Sequence, residues 1–227
     1  MAVIRSMPRW LLMVLVSATT GVLAQAPQAG VGPLAAAGPS TLKPVLTTGD
    51  TWIYRTIDRW KDEEIKSESY TVVERRPWGY VVELKHGVST EPKRRRWSQE
   101  LNAFASPKHE TDVGWLRFPL TAEPSWESIG PWAGGSGRAE LQRRVVGNER
   151  IATRAGTFDT IRIEGSGRWF RSERNSGVVS ETIWYASLVK RYVRRDTEVR
   201  EASFAVGSFS RLVTQTREEL IEYSLQP

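Results

Sequence analysis

No cysteine occurs in the 227 residues. Disulfides, thiol nucleophiles and cysteine-ligated metals are excluded together. So is a bacterial lipoprotein's lipid anchor, which needs a cysteine directly after the signal. Histidine is nearly absent too, with His86 and His109 the only two. His109, Glu110 and Asp112 are metal-ligating types close in sequence, but no H-E-x-x-H spacing accompanies them. A solvated loop is the expectation there, and neither a metal nor a cofactor is expected. Long apolar runs are also missing. Trp10–Val16, "WLLMVLV", falls short of the roughly 20 residues of a membrane span. Preceded by Arg5 and Arg9 and followed by small residues to Val22-Leu23-Ala24, it reads as a secretory signal, residues 1–24, cleaved near Ala24.

Charge of one sign does not dominate. The net charge is +6. Without Arg5 and Arg9, 30 basic residues face 26 acidic ones, leaving +4. In a periplasmic protein, nucleic acid is not an expected partner. A lipid-like ligand, an anionic head group or an envelope protein is, and any membrane contact is expected to be peripheral. Residues 25–48, opening "QAPQAGVGPLAAAGPSTLK", read as a flexible Ala/Gly/Pro-rich leader. Residues 49–227 read as one β domain, with "GPWAGGSGR" (130–138) as a point that could divide it into two halves.

Helical periodicity is scarce as well. Alternation of period two runs through most of the domain. Trp52, Tyr54 and Thr56 share one face, and Tyr80, Val82 and Leu84 repeat the pattern after the turn Pro77-Trp78-Gly79. Leu141-Arg143-Val145, Ile161-Ile163 and Val179-Glu181-Ile183-Tyr185 follow. Turn signals separate these runs at the spacing of an antiparallel meander. The fold class is therefore all-β, a single large curved antiparallel sheet, as a meander, half-barrel or open barrel, with little helix. Thr216–Tyr223 is ambiguous, because its glutamates would also suit a short helix. At "RAGTFDTIRIEG" (154–165) Ala155-Gly156-Thr157-Phe158 reverses the chain, and Phe158 breaks the alternation that Ile161 and Ile163 then resume.

The pieces "GDTWIY" (49–54), "LRFPL" followed by "PSW" (116–126), "AGTFDTIRI" (155–163), "ETIWYAS" (181–187) and "VKRYVRRD" (189–196) occur in this order. Together they resemble the domain-of-unknown-function family 3108 of exported bacterial proteins. The resemblance implies a curved antiparallel sheet, akin to the half-barrels of periplasmic lipoprotein carriers, and it carries no activity. The family usually places a proline after the aromatic pair matching Trp184-Tyr185, where this chain has Ala186-Ser187.

Nine tryptophans follow residue 24. Trp52, Tyr54, Trp97, Trp115, Trp169 and Trp184 are the candidate lining of an apolar groove. Lys93-Arg94-Arg95-Arg96-Trp97 reads first as a charged, edge-protecting strand. Arg94, Arg95 and Arg96 are also the candidate contacts for an anionic head group. Arg143-Arg144, Lys190-Arg191 and Arg194-Arg195 could extend their patch. Ser187-Leu188-Val189-Lys190 matches S-x-x-K, but S-D-N and K-T-G do not occur. "GGSG" (134–137) lacks the Lys-Ser/Thr of a phosphate loop. The expected function is non-enzymatic binding of a lipid-like or apolar ligand, or of a partner chain. The alternative is a hydrolase acting on envelope material through carboxylates such as Glu164 and Glu181.

Overall fold

The computed structural model describes residues 41–87, 91–104, 112–121, 125–132, 137–172, 175–201 and 211–227. The signal at 1–24, the leader as far as residue 40, His109, Glu110 and residues 134–136 lie outside them. Among the described residues no helix is long and apolar enough to cross a membrane.

The strands are β1 (Thr51–Asp58), β2 (Glu63–Arg76), β3 (Gly79–His86), β4 (Lys93–Ser98) and β5 (Trp126–Trp132). They continue as β6 (Gly137–Thr153), β7 (Gly156–Ser172), β8 (Asn175–Ala186), β9 (Arg191–Glu201) and β10 (Arg211–Ser224). All ten form one open antiparallel sheet in the order β4-β3-β2-β1-β10-β9-β8-β7-β6-β5. A single 3-10 turn, Ser187–Val189, joins β8 to β9. The chain thus makes two meanders whose outer ends, β1 and β10, pair in the middle of the sheet, Trp52 opposite Tyr223. That pairing decides the ambiguous segment. Thr216–Tyr223 is strand, because it has a ladder partner on each side, β1 and β9.

The break between the meanders falls at residues 99–125, between β4 and β5. Residues 130–132 and 137–138 pair as ends of β5 and β6, with Pro131 opposite Arg138 and Trp132 opposite Gly137. The β4–β5 connection touches both edge strands. On β4, Phe104 N–H donates to Arg96 O (3.0 Å), and Trp97 bridges Ala103. At β5, the Trp126 indole donates to Gly114 O (2.9 Å). Buried Asn102 holds the connection together, its amide donating to Leu116 O and accepting from Leu116 N–H, both at 2.8 Å. Leu101, Leu116 and Leu120 are buried in the main core, and Phe118 lies edge-on to Tyr185 at 5.4 Å. The connection therefore covers part of the inner face, the side to which Trp52, Tyr54 and Thr56 point, and removes its apolar area from water.

Residues 41–48, at the end of the expected leader, lie against the sheet. Leu46 is buried, and its N–H donates to the Tyr80 hydroxyl (3.3 Å). The Ala/Gly/Pro bias fades before Leu46, and an apolar side chain there finds core to enter.

Candidate ligand-binding cavity

Three of the candidate aromatics meet around a cation of the chain itself. The Arg191 guanidinium carbon lies 3.7 Å from the Trp97 ring centre, 5.7 Å from that of Trp52 and 5.8 Å from that of Tyr54. Tyr70 at 5.0 Å and Tyr192 at 4.9 Å complete the cage. Trp52, Tyr54 and Trp97 are each at most 2% exposed. Burial pushes the Tyr54 and Tyr70 hydroxyls well above their ordinary range. Arg191 thus stands where a groove between these rings would hold a ligand, and cation–π attraction is strong in a desolvated site.

The other aromatics separate. Trp184 pairs with Arg162 and Arg194 across the sheet, donates to Glu149 Oε2 (2.8 Å) and lies under the Arg194 guanidinium at 4.6 Å. Trp169 belongs to a second buried cluster with Ala139, Leu141, Val179 and Val199. Trp115, on the β4–β5 connection, lies 4.3 Å beneath the Arg195 guanidinium.

The three arginines of β4 sit on an edge strand. Exposed Arg94 faces Glu83 at 3.5 Å. Arg96 stacks on Trp78 (4.4 Å) and Phe104 (4.5 Å). Arg95 points the other way, as alternation requires, and borders a cavity. That cavity, of about 700 Å³, lies between the β4–β5 connection and the inner faces of β5, β6 and β8–β10. Phe104, Val113 and Trp115 of the connection and Leu141, Val179 and Val199 of the sheet line it. Of the six candidate lining aromatics, Trp115 is the one that borders it.

Arg143, Glu181 and Arg195 also border this cavity. Arg143 is 1% exposed. It pairs in register with Gly165, which pairs with Glu181. A Cβ at Gly165 would stand 2.9 Å from Arg143 Nη1, so the missing side chain lets the guanidinium cross β7. Arg143 Nη2 then donates to Glu181 Oε2 (2.5 Å), and its Nε donates to Ser128 Oγ (2.8 Å). From the other side Arg195 lies 3.8 Å from Glu181 Oε1 and donates to Glu218 Oε1 (2.7 Å). Burial alone would raise the Glu181 carboxyl, but Arg143 and Arg195 outweigh it and hold the group below its ordinary range. Three guanidinium nitrogens, Arg143 Nη1 and Arg195 Nε and Nη1, are buried without a hydrogen-bond partner.

The paired-acid arrangement is not formed. Glu164 is opposite Thr182, and Glu181 is opposite Gly165. The one-residue offset sends the two carboxylates to opposite faces of the sheet. Each is already paired, Glu164 with Arg162 and Arg144. In the S-x-x-K segment, Lys190 Nζ lies 3.0 Å from Asp50 Oδ2, which makes its charge part of the scaffold. Among the described residues no cluster of three metal-ligating side chains occurs, and Asp112 instead accepts from Gly114 N–H (2.8 Å).

Composition could not point to Arg143 and Glu181, but position could. Each occupies an apolar slot of an alternating strand, between Leu141 and Val145 or between Val179 and Ile183. Opposite charges on the dry faces of two strands indicate a buried pair.

No family model matches the chain, and no curated protein does. Two solved structures are similar to it. One is a candidate lipoprotein from Parabacteroides distasonis ATCC 8503, 18% identical, with 82% of this chain and 99% of that one covered at a TM-score of 0.48. The other is a candidate exported protein with a YmcC-like fold from Bacteroides fragilis NCTC 9343, 14% identical, with 79% and 97% covered at a TM-score of 0.46.

Proposed function

We propose that the chain is a non-enzymatic periplasmic binding protein, akin to family 3108, that holds a lipid-like ligand in the cavity beside the β4–β5 connection. The carrying observation is the cavity itself: about 700 Å³, lined by Phe104, Val113, Leu141, Val179 and Val199. Ligand sites commonly occupy about 300–1,000 Å³ and are mostly apolar with a few placed polar groups. The cage around Arg191 is filled by the chain's own side chain, so the open volume lies farther along the sheet. The periplasmic part of the reading rests on the signal-like residues 1–24.

Native mass spectrometry of the protein purified from its own periplasm tests both parts. A mature chain beginning near Gln25 with one bound apolar molecule is expected. Val179→Trp, which fills the cavity, should release that molecule. A bound molecule retained by the Val179→Trp variant would place the ligand elsewhere. Protein that is empty and also fails to take up a dodecyl compound would leave a partner chain as the occupant.

A further inference from the structure

We propose that the cavity takes an amphipathic oxyanion, a long-chain carboxylate or phosphate, whose head seats on the free donors of Arg143 and Arg195. The inference rests on the binding reading above and adds the chemistry of the head group. Its first support is the count of donors. Arg143 gives Nη2 to Glu181 and Nε to Ser128, and Arg195 gives Nη2 to Glu218. Arg143 Nη1 and Arg195 Nη1 are left over, both buried, while Arg195 Nε lies 3.8 Å from Glu181 Oε1. Buried polar groups are nearly always hydrogen-bonded, so unpaired guanidinium donors on two side chains that border the cavity call for an acceptor.

The second support is charge. Glu181 and Glu218 offset Arg143 and Arg195 one for one, and Arg95 adds a further positive charge to the lining. The balance suits one negative charge. Guanidinium donors fit the oxygens of carboxylate and phosphate, and charge-assisted bonds are the strong ones. The third is the placement of apolar surface. Leu141 is two residues from Arg143 on β6, and Val179 is two residues from Glu181 on β8, so apolar side chains follow the charged row on the same face. A chain leaving the head group meets Leu141, Val179 and Val199. Neither a fully charged nor a fully apolar molecule matches both parts.

The experiment titrates the full chain with dodecanoate, dodecyl phosphate, dodecanol and inorganic phosphate by calorimetry below micellar concentrations. Both dodecyl anions should bind about tenfold or more tightly than dodecanol. The tighter of the two identifies the head as carboxylate or phosphate. Arg195→Gln should erase most of that difference, weakening both anions far more than dodecanol. Dodecanol binding as tightly as the anions would overturn the head-group site while leaving the apolar cavity intact. Binding of inorganic phosphate alone would support the anion site and overturn the lipid-like reading, and no binding at all would overturn both. The anion–alcohol comparison uses the unaltered chain, so it decides even where Arg195→Gln does not fold.

Discussion

Lys190 Nζ lies 3.0 Å from Asp50 Oδ2, joining the turn before β9 to the residue just before β1. Asp50 is fully buried, and its carboxylate also accepts from Thr47 N–H (2.9 Å) and Gln226 N–H (2.7 Å). One side chain therefore ties the approach to β1, the turn between β8 and β9, and the stretch after β10. Lys190 itself adopts a left-handed conformation (φ 59°), which ends the 3-10 turn there.

Asp50→Ala should destabilise the domain by about 3–5 kcal/mol, because Lys190 and two backbone donors lose their acceptor together. Lys190→Met should be milder, since the two N–H donors still hold the carboxylate. Chemical denaturation of both variants checks the order. Equal losses would mean that the ion pair, not the backbone clasp, carries the effect.

The Phe158 corner gives a second expectation. Phe158 is 4% exposed and meets Tyr223 at a ring separation of 6.0 Å. Phe158→Ala should cost about 3–5 kcal/mol. Gly156 has φ 136°, and a Cβ there would meet nothing closer than Phe158 Cζ at 3.7 Å. Gly156→Ala therefore carries mainly backbone strain, of order 1–3 kcal/mol, and Gly156→Val should be worse. A thermal melt of Phe158→Ala matching that of the parent would show that the ring contributes no packing.

Much of the fold was legible because alternation reports directly on a sheet with one dry face. Trp52, Tyr54 and Thr56 read as one face and are all buried; Tyr80, Val82 and Leu84 likewise. Sequence could not say what covers that face. The plug is built from residues 99–104 and 112–121, whose placement depends on Asn102 pairing with Leu116 and has no period to detect. The aromatics were legible as a set, but their occupant was not, because Arg191 reaches Trp97 across the fold. Glu164 and Glu181 look equivalent along the chain, and a register offset of one residue separates them.

Arg191 is 5% exposed and is caged by five rings rather than by a carboxylate. Arg191→Lys keeps the charge but loses the flat guanidinium, and should cost about 2 kcal/mol. Arg191→Met removes the buried charge and should cost less. Both should alter the near-ultraviolet dichroism of Trp52 and Trp97. Arg191→Lys as stable as the parent would show that charge alone, without the stacking plane, satisfies the cage.

The buried row Arg143–Glu181–Arg195 makes a prediction about acid. Glu181 titrates below its ordinary 4.5 because the two arginines outweigh its burial. A carboxyl with a lower pKa folded than unfolded stabilises the fold fully above the unfolded value. That stability is lost as the pH falls through the folded value. Glu181→Gln cannot take up the proton, so its stability should fall less steeply than the parent's between pH 5 and pH 3. At neutral pH the variant should be weaker by about 3–5 kcal/mol, because Arg143 remains buried without its counter-charge. Asp196, held low against its own partial burial by Arg194 and Arg217, supplies a similar dependence in both proteins and cancels in the difference. Gly165→Ala is the companion variant. Its new methyl would enter the path of Arg143, 2.9 Å from Nη1, so it should flatten the acid dependence without changing a titrating group. Urea titrations of all three proteins at a series of pH values give the curves. Parallel curves for parent and Glu181→Gln would show that the pair contributes nothing to acid stability, and would leave the charge row as a feature of the cavity alone.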